Sequence, residues 1–269
     1  EIACAGTGQD GEIQAGVNKN AIIKKVSALQ IPFMENHGQI KDKSVRFYVN
    51  TFAGTVFVTE KGEVVYSLIK TEDRGQNTGD RTQTESLRAE RSNLKSSSGS
   101  ERQNLISKAV ALRETLECPE ETKITSMNKA ETKVNYFVGE KDNWRTNIST
   151  WQEVSIGEVY KGVELKLRAY GKNVEKLFTV YPEGSVKDIK LKIDGAKGLS
   201  VNKDGELEIE TELGTVKMTK PIAYQEIDGG RVEVVVNYKI QDNNSKFIYG
   251  FQVAEFDRTK ELIIDPLLA

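Results

Sequence analysis

The chain has 269 residues, which is long enough to bury a hydrophobic core in one large domain or two smaller ones. Its 38 Lys and Arg nearly balance its 40 Asp and Glu, so the formal net charge is −2. This balance leaves no excess of positive charge of the kind that binds nucleic acid. The sequence also has no run of about 18 apolar residues, the length that a transmembrane helix needs. We therefore expect neither a nucleic-acid partner nor a transmembrane segment.

Residues 1–20 are predicted to form a flexible N-terminus. The ACA triplet at residues 3–5 has the small-x-small form of a signal-peptidase site, which favours an exported protein. The GTGQDG stretch at residues 6–11 matches a dinucleotide-binding fingerprint, but no strand precedes it, so we predict no cofactor. Apolar residues at helical spacing predict a short helix over residues 21–29.

Residues 21–70 are predicted to contain the first β part of the fold. From residue 45 to residue 69, apolar side chains alternate with polar ones, which is the period of strands with one buried face. Residues 71–104 then hold no aromatic residue and only two large apolar ones. Such a segment cannot bury enough surface to offset the entropy of ordering it. We predict a long disordered insertion there.

A polar stretch at residues 35–39 directly precedes the first alternating run. Asn36 and Gly38 are residue types that enter tight turns readily, while Glu35 and Gln39 can hydrogen-bond exposed strand ends. His37, the single histidine of the chain, lies between them and is interpreted as a turn residue. The stretch is therefore predicted to be a structural corner.

Residues 105–269 are predicted to form the main β part. Alternating runs around residues 163–168, 189–194 and 206–210 are separated by Gly- and Asn-containing turns, and residues 232–240 carry the longest such run. Strands of this length and spacing predict an all-β, antiparallel β-sandwich architecture. It could be one large sandwich or two packed ones, divided within the insertion or near residue 140.

Few residues suggest chemistry. One histidine and two distant cysteines exclude the common zinc sites, and we predict no catalytic residue and no metal site. Trp144 and Trp151 could stack on a sugar if exposed, or close the end of a sandwich if buried. Cys4 and Cys118 could form a disulfide in an exported protein, or remain free thiols.

Six separated stretches together resemble one family, the N-terminal β-rich domain of unknown function of large exported bacterial proteins. In those proteins, β-propeller-type SBBP repeats or gliding-motility and PKD-type C-terminal regions follow the domain. The stretches are PFMENHGQ (32–39), VNYFVG (134–139), WRTN (144–147), VYKGVEL (159–165), KPIAYQE (220–226) and IIDP (263–266). The motif residues with expected structural roles are Glu35, Asn36, Gly38, Gln39, Asn135, Tyr136, Arg145, Tyr224, Asp265 and Pro266.

The resemblance implies an exported domain with no assigned catalytic residues. Lys161 stands where the family usually has a proline, and the polar tract is longer than usual. We expect a non-catalytic cell-surface or extracellular module, of scaffold or adhesion type, ahead of a repeat array. Its partners would be other domains of a larger parent protein or a cell-surface molecule. The alternatives are a carbohydrate-binding β-sandwich and, less favoured, a hydrolase with a carboxylate pair.

Overall fold

The computed structural model describes residues 29–72, 106–171, 174–243 and 246–266. Within these ranges the chain is almost entirely β-structure, which confirms the predicted all-β class. The elements, in chain order, are β1 (Phe33–Glu35), β2 (Val45–Thr51), β3 (Gly54–Thr59), β4 (Val64–Glu72), β5 (Ile106–Leu116), β6 (Thr125–Tyr136), a 3-10 helix (Lys141–Asn143), β7 (Arg145–Tyr160), β8 (Val163–Ala169), β9 (Val174–Val180), a 3-10 helix (Val186–Asp188), β10 (Lys190–Asp194), β11 (Gly198–Val201), β12 (Leu207–Thr211), β13 (Gly214–Met218), β14 (Ile222–Ile227), β15 (Gly230–Val234), β16 (Val236–Asn243), β17 (Lys246–Val253) and β18 (Leu262–Asp265).

The predicted flexible N-terminus lies outside the described residues, as do nearly all of the predicted N-terminal helix and nearly all of the predicted insertion. On either side of segment 73–105, β4 and β5 pair as an antiparallel hairpin, with Glu72 opposite Ile106. The two residues that flank the segment, Glu72 and Ile106, therefore lie side by side. This pairing also places strands of the predicted first and main β parts in the same sheet.

Among the described residues, fifteen strands form one antiparallel sheet, and β11, β12 and β13 form a small second sheet. The order of the large sheet is β15-β14-β18-β9-β8-β7-β1-β2-β3-β4-β5-β10-β17-β16, with β6 paired to β7. Polar and apolar residues alternate along most strands, as the sequence predicts for strands with one buried face.

Strand β7 is where the sheet turns from one layer into the other. One edge of β7 pairs with β6, and its other edge pairs with β1 at Thr150 and Trp151 and with β8 from Glu153 onward. The register shifts between Ser155 and Gly157, and Gly157 has a φ of +92°. A bulge of this kind bends a strand, which is how a single strand can serve two packed layers.

The two halves of the sheet face each other across a shared core. The rings of Phe178 in β9 and Phe251 in β17 make an edge contact, 5.8 Å between centroids, although these strands are far apart in the sheet order. The run predicted as one strand over residues 232–240 is two strands at opposite ends of that order, divided at the exposed Val235. Leu207 and Met218 of the small sheet are also fully buried in this core.

Candidate functional site

The residue 35–39 stretch forms a turn organised by the Asn36 side chain. Its Nδ2 donates to the main-chain oxygen of Val45 at 2.9 Å, and its Oδ1 accepts from the main-chain nitrogens of Gly38 and Ile40 at 3.0 and 3.1 Å. Gly38 has a φ of +98°, a conformation that favours glycine. The amide of Asn36 thus supplies partners that the backbone of the turn lacks.

Gln39 makes a second set of bonds in the same turn. Its Nε2 donates to the main-chain oxygen of Glu35 at 2.6 Å, and its Oε1 accepts from the main-chain nitrogen of His37 at 2.7 Å. The exposed imidazole of His37 lies 3.5 Å from the Glu35 carboxylate. These bonds all serve the local backbone, as expected for a corner.

Arg145 connects this corner to the end of the β6–β7 hairpin. Its Nε donates to the main-chain oxygen of His37 at 2.9 Å, and its Nη1 donates to the main-chain oxygens of Asp142 and Trp144 at 2.8 and 3.0 Å. In the same hairpin, Asn135 Oδ1 accepts from the main-chain nitrogen of Asn147, and Tyr136 pairs with Arg145. The hairpin end is therefore held from two sides.

Three large apolar side chains are exposed at this hairpin end: Phe137, Val138 and Trp144, which we call the tip patch. The Phe137 and Trp144 rings meet edge to face, 5.1 Å between centroids. Trp144 Nε1 donates to the main-chain oxygen of Gly139 at 3.3 Å, which orients the indole. Aromatic rings that are both exposed and held in position are typical of contact surfaces.

Trp151 lies elsewhere. It is seven residues beyond Trp144, about 23 Å at roughly 3.3 Å per residue of extended strand. Its ring packs against the hydrophobic core, with Lys129 Nζ 5.6 Å from the ring centroid. The structure therefore does not bring the two tryptophans together, and the aromatic partner of Trp144 is Phe137.

A row of charged side chains crosses β7, β8, β9 and β18. Arg168 binds Glu153 Oε1 through Nη2 at 2.7 Å and approaches Glu175 Oε2 at 3.9 Å. Asp265 lies beside Glu175, and burial, followed by the Glu175 charge, raises the pKa of Asp265 to about 7. Glu175 Oε2 and Asp265 Oδ1 are two of the three buried side-chain atoms in the described residues that lack a hydrogen-bond partner, and the third is Trp151 Nε1.

The remaining motif residues adjoin this charged row. Pro266 accepts a main-chain hydrogen bond from Lys176 at 3.2 Å, which extends the β18–β9 pairing past the end of β18. The Tyr224 ring in β14 stacks against the guanidinium of Arg231, 3.6 Å from the ring centroid. Both contacts join neighbouring strands of the sheet.

A second charged cluster lies in the centre of the core. Lys176 Nζ contacts both carboxylate oxygens of Glu114, at 2.9 and 2.8 Å, and both residues are almost completely buried. The hydroxyls of Tyr66 and Tyr249 donate to Oε2 and Oε1 of the same carboxylate, at 2.8 and 2.6 Å. Burial, followed by the Glu114 charge, raises the pKa of both tyrosines well above the usual value.

Sequence reasoning missed this central cluster, although a signal for it exists. Glu114 lies on the same inward face of β5 as Leu112 and Leu116, and Lys176 lies on the same inward face of β9 as Val174 and Phe178. A charged residue at an inward position of a strand indicates a partner in the core, because an unpaired buried charge is very costly.

Other predicted features have simpler outcomes. Cys118 is exposed, while Cys4 lies outside the described residues. The described ranges contain no group of three or more His, Cys, Asp or Glu side chains placed to hold a metal ion. No helix in those ranges has the length and apolar character needed to cross a membrane.

The domain of unknown function DUF7948 matches residues 33–267, nearly the whole chain. The chain belongs to this family. No curated protein and no solved structure matches the chain. The family match agrees with the resemblance to a β-rich domain of unknown function, and it begins at β1 and ends just past β18.

Proposed function

We propose that this domain is a non-catalytic exported module of adhesion type, and that the tip patch is its contact surface. The observation that carries the proposal is the exposure of Phe137, Val138 and Trp144 together, with exposed fractions of 57, 56 and 40%. Clustered exposure of large apolar side chains on a soluble surface marks sites of interaction. Aromatic rings supply much of the energy at such sites.

The support beneath the patch also favours recognition. Arg145 binds the hairpin end to the residue 35–39 corner, and the Trp144 indole is held by its bond to Gly139. A surface that is ordered before it binds loses less conformational entropy on binding. The bonds between the corner and the hairpin therefore hold the side chains of the tip patch in position before a ligand binds.

The scaffold part of the proposal rests on the sandwich itself. The two layers share one core and one continuous large sheet, so the domain can keep the tip patch at a fixed distance from a neighbouring domain. The family resemblance to domains that precede SBBP repeats supports a role at the start of a repeat array. The partners would be those repeats on one side and a cell-surface molecule on the other.

Carbohydrate binding is the second candidate, and the orientation of Trp144 favours it. Trp144 is half-exposed beside Phe137, and its only ring nitrogen is already bonded to the backbone of Gly139. The indole therefore offers its apolar ring to a ligand rather than a donor, which suits stacking on the C–H face of a sugar.

The experiment compares the wild-type domain with the double variant Phe137→Ala/Trp144→Ala in binding to intact bacterial cells. The matched control is Phe52→Ala, which removes a similarly exposed ring, 49% exposed, from the β2–β3 turn. We expect the double variant to lose at least about tenfold in affinity while the control binds normally, as for hot-spot aromatics. Equal binding by all three proteins would refute the tip patch as the contact surface.

A glycan array separates the two candidates. Saturable binding to particular glycans that the double variant loses would identify a carbohydrate-binding module. Cell binding that survives removal of surface glycans would identify a protein ligand. Circular dichroism of each variant confirms that the fold is retained.

A further inference from the structure

We propose that Lys176 and Glu114 are the two halves of a self-forming amide cross-link between the layers of the sandwich. Lys176 projects into the core from β9, and Glu114 projects into it from β5 in the facing layer. The Lys176 Nζ lies 2.9 and 2.8 Å from the two carboxylate oxygens of Glu114, so the amine is held against the carboxyl group that it would attack. A nucleophile that the fold holds against its target reacts without the entropic cost of bringing the two groups together.

The two tyrosines occupy positions that such a reaction needs. The Tyr249 hydroxyl accepts from Lys176 Nζ at 3.1 Å and donates to Glu114 Oε1 at 2.6 Å, so it bridges the nucleophile and one carboxyl oxygen. The Tyr66 hydroxyl donates to the other oxygen, Oε2, at 2.8 Å. Tyr249 can relay a proton, and Tyr66 can stabilise negative charge on Oε2.

The reaction is a condensation that needs no further reactant. Proton transfer within the pair converts ammonium and carboxylate into amine and carboxylic acid. The Nζ lone pair then forms a bond to Cδ, the Cδ–Oε1 bond breaks, and Tyr249 carries the Nζ proton to the departing oxygen. The products are an amide whose carbonyl oxygen is Oε2, held by Tyr66, and one water molecule.

The surroundings favour the product over the ion pair. Lys176, Tyr249 and Met218 are all fully buried, so the two charges have lost their hydration. A buried ion pair repays that loss only in part, whereas an amide carries no net charge. The buried position of the amide would also protect it from hydrolysis. The link would tie the facing layers covalently, a property that suits an exported module under mechanical load.

The test is the intact mass of the purified domain after denaturation and reduction. The proposal predicts a mass lower than that of the sequence by one water molecule, and peptides joined through Glu114 and Lys176 after proteolysis. A folded domain with the full calculated mass and unlinked peptides would overturn the proposal, and the cluster would then be an ion pair only.

Variants test the assigned roles. Tyr249→Phe keeps the ring, so we expect a folded domain in which the link forms at least about 100-fold more slowly. Lys176→Met removes the nucleophile, so the mass of this variant should equal the mass calculated from its own sequence, with no loss of water. The control Lys166→Met disrupts the more exposed contact of Lys166 with Glu164 and should leave the link intact. Unchanged link formation in Tyr249→Phe would overturn the relay role.

Discussion

Arg145 donates a hydrogen bond from Nε to the main-chain oxygen of His37, a residue 108 positions earlier in the chain, at 2.9 Å. This bond joins two family-like motifs that are far apart in sequence, PFMENHGQ and WRTN. It explains why an arginine follows Trp144. The guanidinium reaches across from the hairpin end and binds the turn that precedes β2.

We expect Arg145→Ala to lower the free energy of unfolding by about 1–2 kcal/mol, because three main-chain oxygens lose a charged donor. The same change should free the hairpin end and lower the fluorescence anisotropy of Trp144. Urea unfolding and time-resolved anisotropy measure the two effects. Arg46→Ala, at an exposed position of β2, is the control and should change stability by less than about 0.5 kcal/mol. Equal losses in both variants would show that Arg145 has no special role.

Gly54 offers a test of the β2–β3–β4 packing. It has a φ of +144°, and a Cβ at this position would lie 2.1 Å from the main-chain oxygen of Ser67 in β4. Gly54→Ala should therefore cost about 3 kcal/mol or more, from backbone strain and the clash together. Gly229 has a φ of +77° and open space around its Cβ position, so Gly229→Ala should cost only about 1–2 kcal/mol. Urea unfolding compares the two variants, and a larger loss for Gly229→Ala would contradict this account.

Asp265 should make stability depend on pH. Its pKa rises from 3.8 in the unfolded chain to about 7 in the folded state, through burial and the neighbouring Glu175, against the favourable charges of Arg231 and Arg168. The folded state therefore holds the proton more tightly. The stabilisation that Asp265 adds to the free energy of unfolding is greatest below about pH 4 and is lost as the pH rises toward 7. Allowing for solvent screening, we expect a loss of about 1–2 kcal/mol across this window.

The variant Asp265→Asn measures this contribution, since an amide does not titrate. Unfolding curves between pH 4 and 7 should show a smaller decline in stability for this variant than for the wild type. Asp194→Asn, at an exposed aspartate paired with Lys192, is the control and should keep the wild-type slope. A variant slope identical to that of the wild type would exclude Asp265 as the source.

Much of the fold follows from local pattern. Alternation over residues 163–168 predicted β8, and the turn predicted to follow it, at residues 171–173, marked where the strand ends. The corner at residues 35–39 was also predicted from the sequence. The Asn36 side chain hydrogen-bonds to the nearby backbone, and Gly38 adopts a positive φ, so both residues favour turns. The break at Val235 between β15 and β16 could not be predicted from the sequence. The alternation of residues 232–240 continues through it, although the two strands lie at opposite ends of the sheet order.

The candidate site was predictable only in part. The motif residues and Trp144 were identified, but the partner of Trp144 was not, because Phe137 meets it only when β6 and β7 pair. The central cluster was missed for a similar reason. Lys176 and Glu114 are 62 residues apart and lie in facing layers, so no local pattern relates them.

The sequence by itself determined the strand period, the turn positions and the polar corner, because each depends on steric and hydrogen-bonding preferences within a few neighbouring residues. Only the tertiary structure decided which strands pair, where β7 passes from one layer to the other, and that Lys176 meets Glu114. These contacts are made between distant parts of the chain. They depend on which arrangement of the strands buries the most apolar surface while pairing inward-facing charges such as those of Lys176 and Glu114.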